Sequence, residues 1–184
     1  TITADANDGG TISSYAIGGT DVALLSVNAS GVVTLTADPD YETKSSYSFT
    51  VTATDAAGTS AATTVTFSIT NVDEVVPTIT SAATGTNLAE YSGATQTVYT
   101  IAASANDGGT IASYAIAGAD AGLLSVNTGT GAVKLTANPN YETKSSYSFT
   151  VTATDAAGTS IAKAVTFSIT NVDDTVPTIT SAAT

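Results

Sequence analysis

The side chains with chemistry to offer in this sequence are carboxylates, and they gather in turns and linkers. Sixteen Asp and Glu stand against four Lys, with no Arg, His or Cys, for a formal net charge of −12. Without His or Cys there is no Ser–His triad, thiol nucleophile or thiolate metal site. What remains is oxygen chemistry. Calcium takes six to eight oxygen ligands at about 2.3–2.6 Å, chiefly carboxylates and carbonyls. Asp40 and Glu42 fall at the entrance to an extended run, Asp73 and Glu74 in the stretch NVDEVVP at 71–77, Glu90 on a later loop, and Asn106 near a strand end, with Asp107 and Asp155 close to the same place. If two domains stack end to end, these groups converge on one crevice, where crowded carboxylates repel and no Arg neutralises them. A divalent cation resolves that conflict. The same net charge makes nucleic acid and anionic lipid poor partners.

The elements that must position these groups repeat. Tyr41–Ser60 reads YETKSSYSFTVTATDAAGTS, and Tyr141–Ser160 is identical; upstream, ANDGG at 6–10 returns at 105–109 with a shift of 99. A period near 100 is a domain repeat. Within one copy the apolar period is two. Tyr47, Phe49, Val51 and Ala53 alternate with Ser and Thr, and after a Gly-bearing turn so do Val65, Phe67 and Ile69, the mark of an antiparallel hairpin with one buried face. Ile12–Ile17, Leu25–Asn28 and Val32–Thr36 read as shorter strands, Asp21–Leu24 as one helical turn, and the second copy adds strands at Thr78–Ala82 and Gln96–Ala102. About seven strands per complete copy, with turns at regular spacing and no helical period, predict an all-β fold of tandem immunoglobulin-like Greek-key sandwiches. The expected boundaries are 1–75 for a repeat lacking its first strand, 76–175 for a complete repeat, and 176–184 for the first strand of a following repeat, because PTITSAAT at 177–184 restates 77–84.

Read together, Pro39-Asp40-Tyr41-Glu42, Ala53-Thr54-Asp55-Ala56-Ala57-Gly58, Asn71–Val75 followed by Pro77, Ala89-Glu90, Asp5-Ala6-Asn7 and Ser104-Ala105-Asn106 give a unit that resembles a cadherin repeat, of the cadherin-like kind found in giant bacterial surface adhesins. The resemblance implies Ca2+ at the junctions between repeats. Its ligands at the junction of the two copies would be Asp40, Glu42, Val72, Asp73, Glu74, Glu90, Asn106 and Asp155. Glu74 takes the principal linker carboxylate position there, and Val72 and Asp73 offer backbone carbonyls. Asp5, Asn7 and Asp55 would form a half-site before the first copy, and Glu142, Asp173 and Asp174 a half-site after the second. The sequence departs from the family at Ser104 and Asn106, where Asp is expected, at Val75, which has no side-chain oxygen, and at Asn140, where the first copy has Asp40. The first three departures predict two well-supported ions and a weak or missing third at the 71–77 junction, and Asn140 a weakened second junction.

The function implied is a calcium-stabilised extracellular repeat forming a rigid rod in a cell-surface adhesin whose parent protein is membrane-associated. Its partners would be neighbouring repeats, with identical chains and cell-surface glycans as further candidates. A carbohydrate-binding sandwich and a surface-layer or filament subunit assembled by strand complementation are the alternatives. An enzyme is not expected: a paired-carboxylate hydrolase is formally open, but the acids recur in both copies, as structural sites do. No run of apolar residues is long enough to insert directly into a membrane.

Overall fold

The structure, a computed structural model, describes residues 1–181; Ala182–Thr184, the end of the predicted last strand, lie outside the described residues. The chain forms two compact units, Thr1–Val72 and Asp73–Thr184, and both are built almost wholly of β-strands.

The first unit holds β1 (Ser14–Gly18), β2 (Leu25–Val27), β3 (Val33–Leu35), β4 (Ser46–Thr54) and β5 (Thr63–Ser68). The expected hairpin is β4–β5, antiparallel, with Tyr47 opposite Phe67 and Phe49 opposite Val65. β1 pairs with the other edge of β4, and β2 pairs with β3 in a separate two-stranded sheet. The turn expected at Asp21–Leu24 is a single 3-10 turn at Val22–Leu24. Asp21 holds it in place: its carboxylate accepts the Ser48 N–H at 2.7 Å and pairs with Lys44 at 2.9 Å.

The second unit repeats this pattern and adds strands before it. These are β6 (Thr78–Ile79), β7 (Leu88–Ala89), β8 (Thr97–Thr100) and β9 (Ala103–Ser104), followed by β10 (Ser113–Ala117), β11 (Leu124–Val126), β12 (Ala132–Leu135), β13 (Ser146–Thr154) and β14 (Lys163–Thr170). One sheet runs β10-β13-β14-β7 and the other β11-β12-β8, with β6 paired to β9. β7 lies parallel to β14, Ile169 opposite Leu88. Neither β7 nor β9 was legible in the sequence, because two residues are too few to show a period. The expected strand at Thr78–Ala82 shrinks to two residues, because its partner β9 is no longer than that.

The core sits between the two sheets. Phe149, Val151 and Ala153 of β13 and Val165, Phe167 and Ile169 of β14 face Val98, Tyr99, Ile101, Leu124, Val133 and Leu135. Thr and Ser between them point outward, as the period of two requires. Phe167 lies between Tyr147, stacked at 4.7 Å, and Phe149, edge-on at 6.3 Å. Beyond β14 the chain makes no further strand as far as Ser181, and Ile179 is 88% exposed. Its counterpart Ile79 is buried because β6 has β9 to pair with.

Candidate metal centres

The acidic residues of the second unit collect at its two ends. Glu142 lies just before β13 and Asp155 just after it. Nine extended residues span roughly 30 Å, so these carboxylates belong to different groups.

At one end stand Glu90, Glu142 and Asp174. One carboxylate oxygen from each lies within 4.8 Å of the others. Glu90 is 3% exposed because the β7–β14 pairing draws it inward. Its Oε1 accepts the Val172 N–H at 2.6 Å and its Oε2 the Tyr141 N–H at 2.9 Å. One buried carboxylate thus ties the linker after β14 to the turn before β13. Glu142 and Asp174 are exposed, and a groove lined by Glu142, Asn171, Val172, Asp173, Asp174 and Thr175 opens beside them. The Tyr91 hydroxyl beside Asp174 holds that carboxyl below its usual range, and the same contact, with burial, pushes the Tyr91 hydroxyl up. Asn140 Nδ2 also donates to the Tyr91 hydroxyl, at 3.0 Å.

At the other end stand Asp73, Asp107 and Asp155. Asp107 Oδ2 accepts the Glu74 and Val75 N–H groups at 3.2 and 3.1 Å. Asp155 Oδ1 accepts Ala157 and Gly158 N–H, each at 3.1 Å. Both Asp73 oxygens and Asp155 Oδ2 are shielded from water without a hydrogen-bond partner. Burial first, then the Asp107 and Asp155 carboxylates, push the Asp73 carboxyl above its usual range. The Ala157 N–H opposes that rise only in part. Shielded carboxylate oxygens of this kind fit a cation. Asn106, with φ 64°, closes the loop: its Nδ2 donates to Val76 O at 2.8 Å and Thr78 Oγ1 at 3.3 Å.

This geometry corrects the grouping read from the sequence. Glu90 was placed with Asn106 and Asp155, but it lies with Glu142 and Asp174 because β7 pairs beside the far end of β14. Asp73, assigned a carbonyl role, brings its carboxylate into the cluster, while Glu74 contributes its backbone N–H to Asp107 and is exposed. Asp107 was noted as nearby yet left out of the ligand set; its place two residues before Gly109, in a loop whose register the repeat fixes, was the available signal. Asp173 lines the groove beside the Glu90 group.

In the first unit, Asp5, Asn7 and Asp55 line one groove. Asp5 Oδ1 accepts the Asn7 N–H at 2.8 Å, and Asp55 Oδ1 accepts Ala57 and Gly58 N–H at 2.8 and 3.1 Å. Asp40 is a turn-former. Its two oxygens accept the Thr43 N–H and hydroxyl at 3.1 and 2.9 Å, and these bonds lower its pKa. Asn140 makes the same backbone turn with the Thr143 N–H at 2.7 Å. Glu42 and Val72 are exposed in this unit, Val72 at 70%.

Residues 86–170 match the cadherin domain family model. That segment is similar to a cadherin domain. The protocadherin-like wing polarity protein stan of Drosophila melanogaster is 29% identical over 169 residues, which are 86% of this chain and 5% of that protein. Among solved structures, the extracellular cadherin domains 1–4 of protocadherin gamma B7 superpose with a TM-score of 0.66 at 20% identity, covering 89% of this chain and 43% of that one. Mouse cadherin-23 EC22-24 gives 0.67 at 19%, covering 86% and 53%. Human protocadherin-24 EC1-2 gives 0.65 at 18%, covering 86% and 82%. The chain thus spans a small part of the curated relative and about half of the first two structures. Among the described residues no helix is long and apolar enough to cross a membrane.

Proposed function

We propose that this chain is a calcium-stiffened extracellular adhesion module, a segment of a rod of cadherin repeats in a longer cell-surface protein. The observation that carries this reading is the convergence of Glu90, Glu142 and Asp174 at the end of a cadherin-like domain. Three carboxylates at that spacing repel one another, and neither ion pair among the described residues involves them. A calcium ion removes the repulsion and, through Glu90, fixes the Asn171–Thr175 linker against the turn at Tyr141. The Asp73, Asp107 and Asp155 group is a second candidate centre. Fixing a linker at its root removes bending freedom, which is what a rod needs.

A cell-surface setting supplies the ion, since extracellular modules typically bind calcium at about 10⁻⁴ to 10⁻³ M. The Ser/Thr-rich outer faces, the absence of Cys and Arg, and the near-identity of the two copies favour a large bacterial surface adhesin as the parent. Neighbouring repeats would then be the first partners, and identical chains or surface glycans the adhesion targets.

Calcium titration by calorimetry tests the reading. The 184-residue chain should bind calcium in that range, and Glu90→Gln or Glu142→Gln should weaken the tighter site at least tenfold. Absence of calcium binding at millimolar concentration, or affinities unchanged in both variants, overturns it.

A further inference from the structure

Residues 141–173 restate 41–73 with three changes, and all three fall between 161 and 164. Ile161, Lys163 and Ala164 stand where the first copy has Ala61, Thr63 and Thr64. The core gains little from them: Ile161 is 90% exposed, Ala164 is exposed and Lys163 is half-buried. What they share is a place, the start of β14, and there the sheet has an open edge.

From Lys163 onward β14 pairs with β13 on one side. On its other side pairing begins only at Thr166, whose N–H donates to Ala83 O at 3.1 Å and whose carbonyl accepts the Gly85 N–H at 2.9 Å. The chain before Ala83 is paired elsewhere, β6 with β9. Backbone direction alternates along an antiparallel strand, so Ala164 turns its N–H and C=O the same way as Thr166. Among the described residues no backbone group meets it there, and both Ala162 and Ala164 are exposed. Beside this edge lies a groove whose lining includes Val75, Val76, Pro77, Ile79 and Ile161. Lys163 lines it too, its ammonium donating to Ser81 O. Lys44 and Lys144 are paired with Asp21 and Asp120, whereas no carboxylate among the described residues pairs with Lys163.

We propose that the Ala162–Ala164 edge takes a short extended peptide of a partner protein, with apolar side chains at alternate positions and a carboxylate beyond them. The peptide backbone extends the sheet, its apolar side chains enter the groove against Ile161, and its carboxylate meets Lys163. Charge decides the occupant. Lys163 shares the inward face of β14 with Val165, and an inward charge guards an edge against an all-apolar strand. A strand that brings a carboxylate is the one it admits. A second copy of this edge would set two ammonium groups against each other, and residues 161–170 carry no acid to offset them. Addition over so few residues is a weak, transient contact. It needs no metal ion, so it stands apart from the calcium reading.

An NMR titration of the 184-residue chain with the synthetic peptides TVTVTET and TVTVTKT tests it. In each, the two valines and the sixth residue share one face of the strand. At millimolar concentration the Glu peptide should shift the amide signals of Ala162 and Ala164, and it should bind about threefold or more tighter than the Lys peptide. Lys163→Thr should remove that preference, and Ile161→Ala should weaken both peptides. Both changes install the first copy's residue, and unchanged signals from the β13 core would show the fold intact. Signals of Ala162 and Ala164 that do not move overturn the proposal, as does a Glu preference that survives Lys163→Thr. Sedimentation velocity without peptide addresses the other occupant. Self-association that Ile161→Ala abolishes would seat a second copy on this edge and overturn the proposal; a chain with no such association is the expected result.

Discussion

The two repeats share twenty consecutive residues, Tyr41–Ser60 and Tyr141–Ser160, yet do not bury them alike. Val151 is fully buried in the second unit while Val51 is half-buried in the first, and the pairs Val165 and Val65, Phe167 and Phe67, Leu135 and Leu35 differ in the same direction. The side chains are identical, so the difference lies in what faces them. In the second unit Val98, Tyr99 and Ile101, in and beside β8, close the sandwich. In the first unit the same face is a groove whose lining includes Thr1, Leu25, Val33, Phe49 and Phe67. Burial here belongs to a pair of sheets and cannot be read from one strand.

The largest expected effect follows from that. Removing a core Phe costs roughly 3–5 kcal/mol through lost transfer energy and the cavity left behind. Phe167→Ala should destabilise the second unit by about that much. Phe67→Ala should destabilise the first unit by less than half as much, because water already reaches its site. Chemical denaturation of each variant, resolving the two transitions, checks the ratio. Equal losses would mean that cover by Val98, Tyr99 and Ile101 does not set the difference.

A smaller effect separates the two loops of sequence ANDGG. An added Cβ at Gly109 would collide with the Asp73 carboxylate, whereas at Gly10 it would meet only Asp8 Oδ1 at 3.2 Å and Ala6 Cβ at 3.4 Å. Overpacking of this kind typically costs about 1–3 kcal/mol, so Gly109→Ala should destabilise the second unit by that order while Gly10→Ala is nearly neutral in the first. Thermal unfolding distinguishes them. A tolerant Gly109 would show that Asp73 moves away at little cost.

Calcium should act mainly on the second unit, which holds the Glu90, Glu142 and Asp174 group. At free calcium ten times Kd, linkage gives about 1.4 kcal/mol. Chelation should lower the second transition by roughly 6–11 °C, taking about 4–8 °C per kcal/mol for a domain of this size, and should move the first by less. Equal shifts would place the ion elsewhere.

How much of this was legible beforehand follows the length of the elements. β13 and β14 were plain because eight or nine alternating residues leave no other reading, and β4–β5 follow by repetition. Five members of the two acidic clusters, Glu90, Glu142, Asp174, Asp73 and Asp155, were singled out from the sequence, while Asp107 was left out of the ligand set. Their partition was not legible. It depends on β7, a two-residue parallel pairing that places Glu90 at the far end of β14, and such pairings leave no periodic trace. Asp40 illustrates another limit. Its motif matches a ligand position, but a carboxylate followed three residues later by Thr equally well makes a turn, and in this structure its oxygens accept the Thr43 N–H and hydroxyl.

The smallest effect concerns acid, and it works in two directions. Asp21 is held below its ordinary value of 3.8 by the Ser48 N–H and then Lys44, and Asp120 by Lys144 and then the Ser148 N–H. A lowered folded-state pKa contributes stability that is present above the unfolded value and is lost as pH falls through the folded one. Both units should therefore weaken alike below about pH 4, and Asp21→Asn or Asp120→Asn should flatten that limb in its own unit. Asp73 has no such partner in the first unit and runs the other way. Its raised pKa means that stability from protonation is complete below 3.8 and is lost as pH rises through the folded value. In chelator, mild acidification should thus strengthen the second unit slightly before the Asp120 limb sets in, while the first unit shows only the decline. Calcium should erase that rise by satisfying Asp73 without a proton. Unfolding midpoints followed in small pH steps, with chelator and with calcium, check it; a rise in both units, or one that survives calcium, would detach Asp73 from the metal group.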